Sequence, residues 1–288
     1  MGTQIDQLRR WVGRTASQRD TFTTRLAHEV AALLEQPAPR AGASVPPLWH
    51  WALFPQIAAQ SQLGPDGHAE RGDFLPPVEL PRRLWAGSRL TFRRALRVGS
   101  EISRSSHILD VAHKQGRRGE LVLVRVRHEV TDAEGPLLTE EQDIAYCERP
   151  RSSDAIRSGI AAPTASTWRQ TIVPDAVLLF RYSAVTFNGH RIHYDRRYAE
   201  LEGYPALVVH GPLIATMLVG LVSRNLPARP VAAFAFRAMA PIFDDRPFHL
   251  CAHVTQGNPD VRVWVENFEG GLCIDGHVTL GDGDAVAQ

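Results

Sequence analysis

The 288-residue chain is short of cysteine, of lysine and of long apolar runs. Its three cysteines, Cys147, Cys251 and Cys273, are odd in number, widely spaced and without a C-x-x-C pair, which argues against a disulfide framework or a zinc knuckle and fits a reducing compartment. Lys114 is the only lysine, so nearly all basic charge is arginine. Net charge is +1, too close to zero to create the field that attracts nucleic acid, so no nucleic-acid partner is expected. No apolar stretch approaches the roughly 20 residues that span a bilayer, and no membrane partner is expected. Met1 to Gln18 sets Arg9, Arg10 and Arg14 against one acid, Asp6, but has no apolar h-region and no Ser-rich, acid-free run, so the expected location is the cytoplasm.

What is present is an ordinary globular composition with 44% hydrophobic residues, in a chain long enough for two domains. Two halves emerge, each a helix followed by strands. In the first, Phe22, Leu26, Val30, Leu33 and Leu34 share one helical face, and the Pro-rich stretch 37–47 ends it. Strands are expected at 90–96, 101–113, 120–130 and 137–148. Val122, Val124, Val126, His128 and Val130 alternate there with Leu123, Arg125, Arg127 and Glu129, the period of a half-buried strand. Residues 151–167, without periodicity, read as a linker between an N-terminal domain (1–150) and a C-terminal domain (168–288). In the second half the patterns give a strand at 176–186, a helix at 212–224 and strands at 231–242, 247–256, 261–268 and 272–280. The helix is apolar all round (Leu213, Ile214, Met217, Leu218, Val219, Leu221, Val222) and therefore buried all round.

Chemistry concentrates in 181–212. Asn188, His190 and His193 precede a short helix that Asp195 caps, and His210, Gly211 and Pro212 open the long one. Imidazoles exchange protons near neutral pH, and the free N–H groups of a helix start hold an oxygen that is gaining negative charge. His193 is the first candidate for the base. His190 is either a second proton carrier or an orienting group, and Asn188 fixes water or substrate by hydrogen bonds. Gly211 offers its N–H to an oxyanion, while His210, Pro212 and Tyr182 are candidates for lining the substrate site.

The string Asn188-Gly-His-Arg-Ile-His-Tyr-Asp195, followed by Glu202-Gly-Tyr-Pro205 and Val208-Val-His-Gly-Pro-Leu213, resembles the MaoC-like hydratase/dehydratases. In the first half, Pro47-Leu-Trp-His-Trp51, Asp66-Gly-His68, Phe74-Leu-Pro-Pro77, Leu84-Trp-Ala-Gly87 and Gly116-Arg-Arg-Gly119 resemble the companion domain of the double hot-dog branch. That branch hydrates mesaconyl- and itaconyl-CoA or dehydrates hydroxyacyl thioesters. The resemblance implies an α+β double hot-dog fold, each half a long helix wrapped by a curved antiparallel sheet, with catalysis in the second half. It further implies a hydro-lyase acting on an acyl-CoA, needing no cofactor or metal and forming homo-oligomers.

One position departs from the pattern. The catalytic Asp of the wider family aligns with Asn188, which cannot carry a proton, while the family His aligns with His193. The alternatives are a dehydratase acting on carrier-protein thioesters, a non-catalytic thioester-binding protein, and a metal site built from His190, His193, Asp195 and His210. Arg82, Arg83, Arg93, Arg94, Arg117, Arg118, Arg196 and Arg197 are the candidates for binding the phosphates of CoA.

Overall fold

The computed structural model describes residues 2–116, 119–149 and 159–282. The first half contains α1 (Gly2–Arg9), β1 (Thr15–Thr21), α2 (Thr24–Leu34), β2 (Arg82–Phe92), β3 (Glu101–Gly116), β4 (Gly119–Asp132) and β5 (Gly135–Cys147). The second contains β6 (Trp168–Ile172), α3 (Ala176–Val185), α4 (Arg196–Leu201), α5 (Gly211–Asn225), β7 (Val231–Ala238), β8 (Phe248–Val254), β9 (Asp260–Asn267) and β10 (Leu272–Leu280).

All ten strands join one antiparallel sheet in the order β1-β3-β4-β5-β2-β7-β10-β9-β8-β6. Five strands of each half lie side by side, and β2 pairs with β7 where the halves meet, from Gly87 opposite Arg237 to Thr91 opposite Ala233. Gly87 makes that seam possible: its φ is +153°, and a Cβ there would fall 2.2 Å from the Phe236 carbonyl oxygen.

The alternation read in β4 places Val122, Val124, Val126, His128 and Val130 inside. Helix α5 buries eight residues, among them Leu213, Ile214, Leu218 and Val222, and packs across β7, β8 and β9. Removing a core side chain such as Leu218, which is fully buried, would cost about 2–5 kcal/mol. Helix α2 starts at Thr23, whose Oγ1 accepts the Leu26 N–H at 3.1 Å. It packs Ala27, Val30 and Ala31 against Phe22, Trp49, Ile102 and Leu137.

One expected element is of the other type. The expected strand at 176–186 is instead helix α3, Ala176–Val185, with Thr186 as its C-cap. A short apolar run does not separate the two periods. What decides is Asp175, whose Oδ1 caps the Leu178 N–H at 2.7 Å, and a helical face that buries Leu179, Tyr182 and Ser183 while leaving Val177 and Phe180 exposed. Strand β2, expected at 90–96, instead runs from Arg82 to Phe92, beginning before its apolar pattern and ending short of it. Edge strand β1 has no large apolar residue, and β6 has them only at its ends, Trp168 and Ile172, so neither shows an apolar alternation in sequence. Of the expected linker, 151–158 lies outside the described residues. No helix among the described residues is long and apolar enough to cross a membrane.

Candidate active site

His193 ends a single helical turn, Arg191–His193, and is buried. Its Nδ1 lies 2.7 Å from the Val208 carbonyl oxygen. A carbonyl only accepts, so Nδ1 carries the hydrogen and Nε2 keeps its lone pair. Burial pushes the imidazole down to about 4, against the pull of the Val208 carbonyl. The ring is therefore a neutral base with a fixed tautomer.

His210 stacks on it, with ring centres 3.7 Å apart at 18°. Its Nε2 is 2.9 Å from Ser183 Oγ on α3, and the residue is fully buried behind His193 and absent from the cavity wall. Tyr182, one residue before Ser183, reaches the cavity and lies 4.8 Å from the His210 ring. Burial lifts its hydroxyl above the usual range, so it stays protonated. Gly211 and Pro212, the first turn of α5, also face the cavity. The Gly211 N–H has no backbone acceptor among the described residues, as expected for a helix start.

Asn188 uses its side-chain carbonyl locally, accepting the His190 N–H at 2.9 Å, so its amide NH₂ is what remains for a ligand. The His190 ring stands edge-on to His193 at 5.3 Å. Burial and the neighbouring His68 and His193 push it far below the usual imidazole range.

The first half also enters the site. A loop closed by the bridge between Leu63 and Ala69 lies against the His190 loop. The Arg191 N–H donates to Asp66 O and Arg191 Nη1 to Pro65 O, both at 2.9 Å. Gly67, at φ +86°, touches the Gly189 backbone so closely that a Cβ would sit 2.0 Å from its oxygen. The contact brings the His68 ring to 4.2 Å from His190. His68 Nδ1 in turn lies 3.1 Å from Asp66 Oδ2. Asp66 and His68 stood in the sequence only as a motif of the companion half. The signal available was the Asp-Gly-His spacing itself, since an Asp two residues before a His closes a turn onto the His N–H, here at 3.0 Å.

His68, Tyr182, Asn188, His190, His193, Gly211 and Pro212 line a cavity of about 1900 Å³ running between the halves. Pockets that hold drug-sized ligands measure roughly 300–1,000 Å³, so this volume suits a longer ligand. One wall carries Trp51 and Trp85, which meet edge-on at 4.8 Å, with buried Phe236 behind Trp85 at 5.3 Å. Buried Glu140 fixes the wall by accepting from Trp51 Nε1 (3.1 Å) and Ser88 Oγ (2.8 Å), the latter itself accepting from Trp85 Nε1. Burial opposes its charge, but His50, His128 and Trp51 hold the carboxyl down at about 2.

The proposed arginines separate by partner. Arg94 pairs with Asp132 and Glu134, Arg196 with Asp244, and Arg82 lies 3.8 Å from Glu202. Arg93 and Arg197 are exposed and away from the cavity wall. Arg117 and Arg118 lie outside the described residues. Arg83 lines the cavity with no carboxylate partner among the described residues, close enough to His68 and His190 to disfavour their protonation.

For a metal ion, Asp66, His68 and His190 offer ligand atoms within 4.8 Å of one another. The Asp66–His68 hydrogen bond already uses one atom of each. His193, Asp195 and His210 are directed elsewhere, to Val208, to Arg191 and the start of α4, and to Ser183.

The family model for hydroxyacyl-thioester dehydratase type 2 matches residues 48–244. The chain belongs to that family. Mesaconyl-C(4)-CoA hydratase of Chloroflexus aurantiacus is 43% identical over 94% of this chain and 97% of its own. The mitochondrial hydroxyacyl-thioester dehydratase type 2 of Schizosaccharomyces pombe is 27% identical over 78% of this chain and 81% of its own. Among solved structures, a MaoC-like dehydratase of Phytophthora capsici superposes with a TM-score of 0.68 over 99% of both chains at 13% identity. A conserved hypothetical protein of Mycobacterium tuberculosis, described as a double hotdog fold, gives 0.60 over 96% of this chain and 97% of its own at 14%. The fold is thus the double hot dog, and this family member is a hydro-lyase by the kinship of its sequence.

Proposed function

We propose that the protein is an acyl-CoA hydratase that adds water reversibly to the double bond of an enoyl-CoA. The observation that carries this is the buried His193 with Nε2 unprotonated on the cavity wall, beside a helix start that presents the Gly211 N–H. His193 Nε2 takes a proton from water as its oxygen attacks the β-carbon, the Gly211 N–H holds the enolate-like thioester oxygen, and a proton is delivered to the α-carbon. The Asn188 NH₂ orients the water. His210 backs the base by stacking, and Tyr182 and Pro212 shape the acyl site.

In this reading residues 168–288 form the catalytic domain, residues 1–150 the companion that completes the cavity, and residues 151–167 the linker. The protein works as a cytoplasmic homo-oligomer. The acyl group is dicarboxylic, of the mesaconyl or itaconyl kind. Two observations support that class: the 43% identity to a mesaconyl-C(4)-CoA hydratase, and Arg83, a cation set near the histidines with no carboxylate partner among the described residues. The phosphates of CoA, at the far end of the pantetheine arm from the thioester, would not reach it.

A panel of mesaconyl-, itaconyl- and straight-chain enoyl-CoAs, followed by loss of the conjugated-thioester absorbance, tests this. Dicarboxylic substrates are expected to turn over best, and Arg83→Gln to raise their KM about tenfold or more while sparing straight-chain ones, since a charge-assisted hydrogen bond is worth about 1.5–3 kcal/mol. No turnover of any enoyl-CoA would sink the proposal. The family match favours one second reading, dehydration of a hydroxyacyl thioester on a carrier protein. A higher kcat/KM for carrier-protein than for CoA thioesters would establish it.

A further inference from the structure

Hydration needs two protons handled: one leaves the water, one reaches the α-carbon. His193 accounts for the first. Position 188, which aligns with the Asp of the wider MaoC-like pattern, is Asn here, so no carboxylate stands at that place. A carboxylate nevertheless reaches the site, from the other half of the chain. Of His68, His190, His193 and His210, only His68 has a carboxylate within 4.0 Å among the described residues, with Nδ1 3.1 Å from Asp66 Oδ2. It is therefore the one whose protonated ring would meet a compensating charge.

The geometry is built rather than incidental. Asp66 also binds the His68 N–H at 3.0 Å, so one carboxylate fixes both ring and backbone. The loop is pinned to the His190 loop by two hydrogen bonds from Arg191, whose own Nη2 is held by Asp195 at 2.8 Å. Two glycines, Gly67 and Gly189, remove every side-chain atom from the contact. The result is a line of imidazoles on one cavity wall, with His68 4.2 Å from His190 and His190 5.3 Å from His193.

We propose that His68, oriented by Asp66, is the second catalytic residue of the reaction, so that the acid and base come from opposite halves of the double fold. The inference rests on the hydratase reading above. The water O–H bond breaks to His193 Nε2 as the O–Cβ bond forms. The π pair moves through Cα to the thioester oxygen at the Gly211 N–H. As it returns, the Nε2–H bond of His68 breaks and the Cα–H bond forms. His193 then holds one proton more than at the start and His68 one fewer. His193 gives its extra proton to water and His68 takes one from water, which restores both, and dehydration runs the same steps backwards. Asp66 is a positioning residue: it fixes the tautomer and compensates the charge of the imidazolium. Burial, with Arg83 and Arg71 nearby, depresses His68, and the Asp66 carboxylate opposes that depression.

The test is steady-state kinetics of the full chain on the best enoyl-CoA, with His68→Ala and Asp66→Asn. His68→Ala is expected to lower kcat by about two to three orders of magnitude with KM within about threefold, and added imidazole to restore part of the loss. Asp66→Asn keeps an oxygen for the turn but loses the charge. It should lower kcat by about tenfold with KM unmoved, and it stands as the measure should His68→Ala not fold. The proposal is overturned if His68→Ala, or where that does not fold Asp66→Asn, keeps more than a third of wild-type kcat. It also falls if either loss lies entirely in KM, or if a chelator abolishes wild-type turnover and a divalent metal restores it. No turnover by the wild type overturns the hydratase reading itself, and this inference with it.

Discussion

The imidazole of His210 lies parallel to that of His193, 3.7 Å away, and is anchored from α3 by Ser183. The base is thus clamped between a stacked ring on one side and the Val208 carbonyl at its Nδ1. A flat ring is what the clamp requires, not a second ionisable group, because burial and the His193 and His190 rings push His210 well below the usual imidazole range.

His210→Phe, which keeps the ring, is therefore expected to retain kcat within about threefold. His210→Ala leaves a cavity behind the base and should cost about 2–4 kcal/mol of stability and at least about tenfold in kcat. Denaturant unfolding and steady-state kinetics on both variants check this. A Phe variant as impaired as the Ala variant would show that the ring nitrogens matter.

Stability should fall as the solution is acidified. His193 and His128 are both pushed by burial to about 4, below the ordinary 6.5 of the unfolded chain. Between those values the unfolded state binds more protons, so each neutral ring contributes stability that is fully present above pH about 6.5 and is lost as pH falls towards 4. Two and a half units correspond to an upper bound on the order of 3 kcal/mol per ring. Buried Glu140, depressed from 4.5 to about 2, adds its loss from pH about 4.5 downward, below the pH 7 and pH 5 compared. Urea unfolding at pH 7 and pH 5 is expected to differ by a few kcal/mol. Equal midpoints would contradict the burial of neutral histidines.

Asn188→Asp puts a carboxylate beside His193, which already serves as the base without one, while the acid comes from His68. The new oxygen still accepts the His190 N–H, so the turn survives. The added anion favours imidazolium, raising the pH at which His193 becomes a base. The expected outcome is an acid limb of kcat/KM moved to higher pH with no gain in the plateau. A faster enzyme with an unmoved limb would show that proton transfer belongs to position 188.

The parts of this fold that could be read in advance are those in which one sequence period meets one environment. Helix α5 is buried on all sides and apolar on all sides; β4 alternates because one face is buried. Helix α3 was hidden because Ala176 to Phe180 is apolar at every position, and only the Asp175 cap and the inward Tyr182 and Ser183 reveal the period. The site divides in the same way. His193 and the helix start at Gly211 lie close in sequence and share one motif. His68 is 122 residues from His190, and the contact that joins them depends on the bare backbones of Gly67 and Gly189. Residue types cannot announce a meeting of two loops that only the paired sheet halves bring about.

The central claim is that a buried, neutral His193 is the base of an enoyl-CoA hydratase. Its most direct test is kcat of His193→Ala beside the wild type on the best enoyl-CoA, with thioester binding measured on the same samples. The expected result is a loss of about two to four orders of magnitude in kcat with binding and folding retained. A folded variant that keeps more than about a tenth of wild-type turnover would contradict it.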